Sequence, residues 1–302
     1  MALKPKDLPL AEALHPGNLA CAGCAQMLAF RHALKVLGPN TIVVNQTGCL
    51  AVVCQMGVPA VPHFHVLFEN AAAVASGIDD ALRVTGKREG VNLLVVAGDG
   101  GTADIGLAAL SGAVERNQDF IYLCFDNESY MNTGGQRSGT TPFGARTTTT
   151  PVGAGANGEP RAPALRKDMV EIMAAHNIPY VASTSIGYPL DFVERVKKAA
   201  TVRGPSYIHC HSPCPPGWGV DSKDIIEVAR LAVETGCVVL YEIENGARRL
   251  TKRVSQRRPV TEYLKHQSRF RHVLLDLEQL AAVQLAVDES YAAAMRRIEA
   301  AF

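Results

Sequence analysis

Three cysteines near the start of the chain have a spacing that could do chemistry. Cys21 and Cys24 form a C-x₂-C pair, and Cys49 follows Cys24 by 25 residues. In a reducing compartment such a pair is typical of a metal site, and less often of a redox-active dithiol. Zinc ordinarily uses a second close pair of cysteines or histidines. Three cysteines with these gaps, joined by one distant partner, favour a [4Fe–4S] cluster instead.

The spacing leaves the fourth ligand of such a cluster open, because three further cysteines could supply it. Cys54 lies a few residues after the first three, Cys210 ends a strand-like run and is expected to be buried, and Cys214 lies in a proline-rich loop. Prolines would stiffen that loop and remove competing N–H donors. The remaining two cysteines, Cys124 and Cys237, lie in apolar runs and are predicted to be small buried side chains. In a cytoplasmic protein none of the eight is expected to form a structural disulfide.

A second candidate site begins where the apolar run 93–97 leads directly into Gly98, Asp99, Gly100 and Gly101. Glycines at the carboxyl end of a strand let the backbone approach a phosphate, and the N-terminus of the following helix favours the anion. An aspartate among these glycines could hold Mg²⁺, which takes one or two protein oxygens together with phosphate oxygens. Taken alone, Gly-Asp-Gly equally describes an ordinary turn.

The end of the next strand-like run strengthens the metal interpretation. The run 120–125 is followed by Asn127, which lies 28 positions after Asp99. That separation is about one strand–helix–strand unit, so both side chains reach the carboxyl edges of neighbouring strands. The amide oxygen of Asn127, a nearby main-chain carbonyl and Asp99 could share one Mg²⁺ with two phosphate oxygens. Asn127 alone would indicate a turn, but the pair predicts a magnesium site.

Strand-like and helix-like segments alternate along the chain and would position these residues. Strands are predicted at 41–45, 91–97, 120–125, 180–183, 206–210 and 237–242. Helices are predicted at 24–37, 68–85, 105–116, 167–176, 190–202 and 225–235. The alternation predicts an α/β fold with a doubly wound, mostly parallel sheet covered by helices on both faces. We expect residues 1–256 to form one domain, and 257–302 to form a C-terminal helical arm that packs on this domain or on a partner.

The segment 132–161 breaks this alternation, because it is rich in Gly, Thr, Pro and Ser. A loop of this length inside a compact domain is usually functional. Composition alone would instead favour a flexible surface linker.

The overall composition argues against several classes of partner. The chain has 302 residues, of which 47% are hydrophobic and 20% charged, as in ordinary globular proteins with a large core. A net charge of +1 gives no bulk attraction to nucleic acid or to an anionic membrane. The apolar runs are too short to cross a bilayer, and the first ten residues lack the apolar region of a secretory signal. We therefore expect a cytoplasmic protein that binds neither nucleic acid nor membrane.

Taken together, the motifs resemble those of the β subunits of 2-oxoacid:ferredoxin oxidoreductases, a group that includes pyruvate synthase and oxalate oxidoreductase. The resemblance covers nearly the whole chain. It is carried by C-A-G-C at 21–24, T-G-C at 47–49, F-E-N-A-A-A-V-A-S-G at 68–77, G-D-G at 98–100, Asn127, N-T-G-G-Q-R-S at 132–138, P-C-P at 213–215 and Y-E-I-E-N-G at 241–246.

This resemblance implies a set of site residues. Asp99, Asn127 and the carbonyl of Ser129 would bind Mg²⁺ on thiamine diphosphate, and Asn132 would face its reacting carbon as the catalytic residue. The cofactor would be lined by Gln26, Cys49, Gly98, Asp99, Gly100, Gly101, Asn127, Ser129, Tyr130 and Asn132. One [4Fe–4S] cluster next to the thiamine would be held by Cys21, Cys24, Cys49 and Cys214.

The resemblance also implies a reaction, namely CoA-dependent oxidative decarboxylation of pyruvate with electrons passing through the cluster to ferredoxin. The alternative is oxidation of oxalate without CoA, or of another small 2-oxoacid, because the chain departs from pyruvate enzymes at Gln26, at Gly101 and in 54–59. Gly101 replaces a frequent tryptophan and is expected to open space. His63 and His65 follow, and we expect either surface packing there or a pocket for a more anionic substrate. A non-redox thiamine-dependent decarboxylase would need no cluster.

Finally, the resemblance implies that the chain holds half of a site. Thiamine catalysis needs a carboxylate against the pyrimidine ring, and the family supplies it from the pyrimidine-binding domain of an α subunit. Glu69 is expected to stabilise the start of a helix instead. A ferredoxin-like subunit or domain with further [4Fe–4S] clusters would carry the electrons onward to ferredoxin.

Overall fold

The computed structural model describes residues 4–54, 59–155, 159 and 166–300. The strands in these ranges are β1 (Thr41–Gln46), β2 (His63–Val66), β3 (Asn92–Gly98), β4 (Ile121–Asp126), β5 (Tyr180–Ser185), β6 (Ser206–His211), β7 (Tyr241–Glu244) and β8 (Ala247–Leu250). They form one sheet with the order β2-β1-β3-β4-β6-β5-β7-β8. The strands from β2 to β5 in this order are parallel, and β7 and β8 extend the sheet as an antiparallel hairpin.

Helices connect the strands and continue into the C-terminal arm. The α-helices are α1 (Ala25–Leu37), α2 (Cys49–Cys54), α3 (Ala71–Val84), α4 (Leu107–Glu115), α5 (Met169–Ala174), α6 (Pro189–Ala199), α7 (Pro215–Trp218), α8 (Ile225–Glu234), α9 (Thr261–Leu264), α10 (Arg271–Leu274) and α11 (Leu277–Glu299). Short 3₁₀ turns occur at Pro5–Asp7, Ser222–Asp224 and Ser268–Phe270, and one π-helical turn occurs at Gly101–Ile105. No helix among the described residues is long and apolar enough to cross a membrane.

Side chains of the central strands alternate between two buried faces. In β3, Leu94 and Val96 pack in the core that includes residues of α1, α6 and α8. Leu93 and Val95 pack on the other face, with residues of α3, α4 and α5. Because both faces are covered, the central strands are continuous apolar runs. The doubly wound, mostly parallel α/β sheet predicted from the sequence is confirmed.

Five of the six predicted strands agree with the structure to within two residues. The prediction at 237–242 is wrong in position, because the strand is Tyr241–Glu244 and pairs antiparallel with β5. The preceding apolar residues, Val238 and Leu240, are buried in the core without being part of the ladder. The six predicted helices agree to within three residues, whereas β2 and β8 were not predicted.

The arm packs on the domain that precedes it. Tyr263, Phe270 and Val273 are buried in the same hydrophobic core as α1 and α6. Near the end of α11, Arg297 forms ion pairs with Asp168 and with Glu171 of α5. These contacts hold both ends of the arm against the sheet domain.

Candidate functional site

The strand order reverses at the carboxyl ends of β1 and β3. From β1 the chain leads to β2 on one side, and from β3 it leads to β4 on the other. Such a switch point opens a crevice in which α/β proteins bind ligands. A cleft of about 230 Å³ lies there. Its walls include all ten residues predicted to line the cofactor, Gln26, Cys49, Gly98, Asp99, Gly100, Gly101, Asn127, Ser129, Tyr130 and Asn132.

A larger cavity, of about 430 Å³, lies between α11 and the ends of β5 and β6. Its walls are mainly aliphatic and aromatic, and they also carry charged and polar side chains, among them Arg166, Lys167, His209, His211 and Arg297. None of the residues predicted to line the cofactor lies on these walls, so the smaller cleft, which holds all ten, is the candidate site.

Three oxygens in the cleft face one another without a proton between them. The amide oxygen of Asn127 lies 2.7 Å from the carbonyl oxygen of Ser129 and 3.0 Å from Oδ1 of Asp99, while its nitrogen lies 2.8 Å from Nε2 of Gln26. Turning the Asn127 amide over would satisfy these contacts with hydrogen bonds. A cation among the three oxygens would offset their mutual repulsion with the amide as it stands, although the Asn127 nitrogen would still face Nε2 of Gln26. Carboxylate, amide and carbonyl oxygens are ligands that suit Mg²⁺. The donor set therefore fits the metal.

Within the described residues, no three His, Cys, Asp or Glu side chains converge tightly enough to hold a single metal ion.

Asp99 is buried in an environment that disfavours its charge. Burial, followed by the neighbouring carboxylate of Asp126, raises the pKa of Asp99 to about 8. Hydrogen bonds from Ser138 (2.5 Å) and Thr140 (3.0 Å) to Oδ2 oppose the shift. A divalent cation would supply the missing positive charge and keep the carboxylate ionised.

Asp126 carries its own positive partners. Burial disfavours its charge, but the hydrogen bond from His209 (2.9 Å) and the charges of His209 and Arg166 hold the pKa of Asp126 below its usual range. Asp126, with its charge balanced by His209 and Arg166, thus lies next to Asp99, and the hydroxyl of Thr140 contacts both carboxylates.

The threonine-rich segment folds over this site. Thr140 contacts both Asp99 and Asp126, and Thr141 donates its hydroxyl to the carbonyl of Glu128 at 2.6 Å. Residues 132–155 contain no helix or strand, although they are closely bound to the site. Within its described part, the segment is not a free surface linker. The predicted loop also includes 156–158 and 160–161, which lie outside the described residues.

Two glycines of the cleft are required by close contacts. A Cβ on Gly100 would lie 2.5 Å from the ring of Tyr130, and a Cβ on Gly101 would lie 2.1 Å from the amide of Gln46. The expectation that Gly101 opens space is wrong, because the side chain of Gln46 fills that space. Gln46 also accepts the N–H of Gly98 and donates to the carbonyl of Phe68.

The four predicted cluster cysteines lie close enough to influence one another's pKa, and Cys49 is on the wall of the cleft. Cys24 precedes α1, Cys49 begins α2, and Cys214 precedes α7. Burial raises the pKa of the Cys49 thiol to about 12, and Cys214, Cys24 and Cys21 add to the shift because they lie nearby. Burial likewise raises the pKa of Cys214 to about 11, with further contributions from Cys24 and Cys21.

The other cysteines lie elsewhere. Cys54 and Cys210 are buried in the hydrophobic core, and Cys124 is fully buried on the other face of the sheet. Cys237 is only partly buried, contrary to the prediction. All eight cysteines are free thiols.

Comparisons with known proteins agree with this geometry. Residues 22–210 match the family model described as thiamine pyrophosphate enzyme, C-terminal TPP binding domain. The pyruvate synthase subunit PorB of Methanothermobacter marburgensis is 55% identical over 284 residues, which cover 93% of this chain and 96% of that protein. The ketoisovalerate oxidoreductase subunit VorB of Pyrococcus furiosus is 42% identical over 287 residues, which cover 92% and 91%.

The chain belongs to the family of 2-oxoacid:ferredoxin oxidoreductase β subunits. A solved structure of 2-oxoglutarate:ferredoxin oxidoreductase from Magnetococcus marinus shares its fold, with a TM-score of 0.57 and 23% identity over 76% of this chain and 80% of that one.

Some residues around this β-subunit site were not predicted from the sequence. Trp218 donates its indole N–H to the carbonyl of Asn127, and Arg269 of the arm pairs with Glu128. These contacts join residues 91 and 141 positions apart, so no local motif signals them. The one available signal is the lone tryptophan of the chain, four residues after Cys214.

Two further predictions concern the rim of the cleft. His63 and His65 lie on the edge strand β2, and His65 contacts the hydroxyl of Thr47 at 2.9 Å. The departure at 54–59 falls mostly on 55–58, which lie outside the described residues.

Proposed function

We propose that this β subunit binds thiamine diphosphate through Mg²⁺ and carries one [4Fe–4S] cluster, as part of an enzyme that oxidises pyruvate with CoA and reduces ferredoxin. The observation that carries the proposal is the juxtaposition of two donor sets at one edge of the sheet. The oxygens of Asp99, Asn127 and Ser129 lie in the cleft, and Cys49 contributes both to its wall and to the group of four cysteines.

On this proposal the diphosphate lies along the glycine-rich turn after β3. Gly98 has open space where a Cβ would lie, so the backbone there can be approached closely, whereas Tyr130 and Gln46 pack against Gly100 and Gly101. Asp99, Asn127 and the Ser129 carbonyl hold Mg²⁺, and Ser138 and Thr140 orient the carboxylate. When bound, thiamine diphosphate supplies the nucleophilic carbon and the electron sink needed to break the bond between the carboxylate and carbonyl carbon of a 2-oxoacid. Asn132, exposed at the mouth of the cleft, would face the substrate.

Cys21, Cys24, Cys49 and Cys214 are the proposed cluster ligands. Cys24, Cys49 and Cys214 are partly buried and Cys21 is exposed, whereas Cys54 and Cys210 are buried in the core. The charges of Cys21, Cys24 and Cys214 influence the pKa of Cys49, so the four lie near one another. Because Cys49 also lines the cleft, electrons released there would have a short path to iron.

We propose pyruvate as the substrate because PorB relatives from several archaea are 43–55% identical to the chain over at least 85% of its length. The VorB relatives favour a branched 2-oxoacid as the second candidate. Oxalate, oxidised without CoA, is the further alternative. The proposed partners are an α subunit with a pyrimidine-binding domain, a ferredoxin-like subunit or domain with further clusters, and ferredoxin.

A cofactor and substrate assay on the assembled complex tests this function. The complex isolated through a tag on this chain should contain thiamine diphosphate, and it should reduce a dye with pyruvate and CoA faster than with oxalate or 2-ketoisovalerate. Asp99→Ala should abolish thiamine diphosphate retention while iron and sulfide contents stay near the wild-type values. Full thiamine diphosphate content in Asp99→Ala would contradict the magnesium assignment. Turnover with another 2-oxoacid but not with pyruvate would contradict the proposed substrate.

A further inference from the structure

Residues 127–129, which we call the magnesium loop, contact two segments that are distant in the sequence, one around Trp218 and one around Arg269. Arg269, in the 3₁₀ turn of the arm, forms an ion pair with Glu128 of this loop. The guanidinium carbon of Arg269 also lies 3.7 Å from the ring centroid of Trp218. Trp218 donates its Nε1–H to the carbonyl oxygen of Asn127 at 2.9 Å. All three side chains are buried, with exposed fractions of 5% for Arg269, 2% for Glu128 and 0% for Trp218.

Glu128 gives the magnesium loop a backbone shape that side-chain-bearing residues rarely adopt. Its φ is 65°, in the left-handed region. Glu128 lies between Asn127 and Ser129, so this conformation sets how the Ser129 carbonyl faces the Asn127 amide. Strained residues persist where surrounding contacts hold them. Here the Glu128 carboxylate pairs with Arg269 and, at 3.3 Å, with Arg166.

Trp218 connects the magnesium loop to residues 214–218, which we call the cluster loop. Trp218 ends the short helix that begins directly after Cys214, and its main-chain N–H donates to the Cys214 carbonyl at 2.9 Å. A Cβ on Gly217 would lie 2.2 Å from Sδ of Met131 and 3.1 Å from Sγ of Cys214. Glycine at 217 therefore lets Met131, which follows the magnesium loop, pack against the cluster loop.

The arm also contacts the threonine-rich segment and the cluster loop through hydrogen bonds that involve main-chain atoms. The Arg269 carbonyl accepts the N–H of Arg146 in the threonine-rich segment at 3.0 Å. The hydroxyl of Ser268 donates to the Trp218 carbonyl at 3.0 Å. A Cβ on Gly219 would lie 2.1 Å from the Ser268 oxygen, so the arm approaches the end of the cluster loop at a position open only to glycine.

We propose that Arg269 is a positioning residue that couples the magnesium loop to the cluster loop, so that the thiamine diphosphate and cluster sites stabilise each other when both are filled. The identity of the two cofactors rests on the function proposed above. Arg269 suits this role because its planar guanidinium can stack on an indole and pair with a carboxylate at the same time. A coupling of this kind is reciprocal, so each cofactor should raise the affinity for the other by the same factor.

The test measures thiamine diphosphate affinity in the assembled complex with and without the cluster of this chain. In the wild type, chelating the iron should raise the dissociation constant of thiamine diphosphate about fivefold or more. The double variant Arg269→Met/Glu128→Gln removes both buried charges together, so that neither is left unpaired in the core. In this variant both cofactors should still bind, but removal of iron should change the dissociation constant by less than about twofold.

A spectroscopic readout separates coupling from general damage. Adding thiamine diphosphate should change the electron paramagnetic resonance line shape of the reduced cluster in the wild type but not in the double variant. Loss of a signal in Cys214→Ala assigns that signal to this chain. The control is Arg257→Met, because Arg257 is also an arm arginine that pairs with a carboxylate, Asp288 (2.7 Å), and stacks on a ring, Tyr291 (4.4 Å). It should retain wild-type coupling.

The outcomes are distinguishable. Coupling that persists undiminished in the double variant, or that is lost equally in Arg257→Met, overturns the role of Arg269. A wild-type complex that binds both cofactors without mutual effect also overturns it, while leaving the proposed function intact. A wild-type complex that lacks thiamine diphosphate, or lacks a cluster on this chain, overturns the proposed function and this inference together.

Discussion

Asp99 and Asp126 are neighbouring buried carboxylates that differ in the groups around them. Asp126 is balanced by His209 and Arg166 and has a lowered pKa, whereas Asp99 receives uncharged hydrogen-bond donors, the hydroxyls of Ser138 and Thr140 and a main-chain N–H, and has a pKa raised to about 8. A buried carboxylate without a cationic partner is costly, and a metal ion is one way to balance it. The contrast between two neighbouring carboxylates therefore points to Asp99 as the position at which a cation binds.

The choice of the fourth cluster ligand gives a prediction at the same scale. Cys214→Ala should strip or convert the cluster and lower dye reduction by about 100-fold, because it removes a direct ligand. Cys54→Ala and Cys210→Ala are the matched controls, since both thiols are buried in the hydrophobic core. Iron and sulfide analysis of the three purified variants checks the assignment. If a control variant loses the cluster while Cys214→Ala retains it, Cys214 is not the fourth ligand.

Gly101 gives a second prediction for a single residue. In Gly101→Ala the new methyl would displace the Gln46 amide, which accepts the Gly98 N–H, so thiamine diphosphate affinity should fall by about tenfold or more. Gly77→Ala is the control, because a Cβ there meets nothing within 4 Å and alanine favours the helix α3. Calorimetric titration of both variants in the complex measures the difference, and equal affinity would show that Gln46 moves freely.

At the scale of elements, Glu242 joins the antiparallel hairpin to the parallel sheet. It is 1% exposed on β7, and it contacts Arg195 and Lys198 of α6, Arg249 of β8 and Tyr180 of β5. Burial opposes its charge, but Lys198, Arg249 and Arg195 outweigh that effect and lower the pKa of Glu242 to about 2.

This cluster predicts a pH-dependent contribution to stability. Glu242→Gln should lower the free energy of unfolding by about 3 kcal/mol at pH 7, since it removes the buried carboxylate that Arg195, Lys198 and Arg249 share. Because the folded pKa is depressed, the contribution is fully present above pH 4.5 and is lost as pH falls toward 2. Urea unfolding at pH 7 and pH 3.5 should therefore show a smaller difference at the lower pH. Glu262→Gln, at a partly exposed pair with Arg258 and Lys265, should at either pH change the free energy of unfolding much less than Glu242→Gln does at pH 7. An unchanged difference for Glu242→Gln would refute the linkage.

The elements that the sequence predicts well are those whose pattern reflects burial. β1 and β3–β6 are buried along nearly their whole length because parallel strands are covered on both faces, and each contains apolar residues that mark it as a strand. The edge strands β2, with two histidines, and β8, with two arginines, lack such burial. The Asp99 and Asn127 motifs are local and could be predicted, whereas the pairing of Arg269 with Glu128 depends on the tertiary fold.

At the scale of the whole molecule, the cleft is open on the side that a partner would cover. Asn132 and Thr133, at its mouth, and Thr47, on its wall, are exposed. We predict that the chain alone, reconstituted with thiamine diphosphate, Mg²⁺, iron and sulfide, does not oxidise pyruvate, because on the half-site proposal the carboxylate that acts on the pyrimidine ring would come from the partner. Dye reduction by the chain with and without its partner subunits tests this. Equal turnover in the two preparations would refute the half-site interpretation.

The fluorescence of Trp218 should report on both proposed sites. Its indole is the single one in the chain, and it extends from the cluster loop to the carbonyl of Asn127. Iron–sulfur clusters absorb broadly across the near ultraviolet, so an indole this close should lose its emission by energy transfer once the cluster is assembled. Emission from the isolated chain would therefore brighten on loss of iron, and its wavelength would respond to any change in the hydrogen bond to the magnesium loop. A fluorimeter alone could then follow the assembly of both sites in real time.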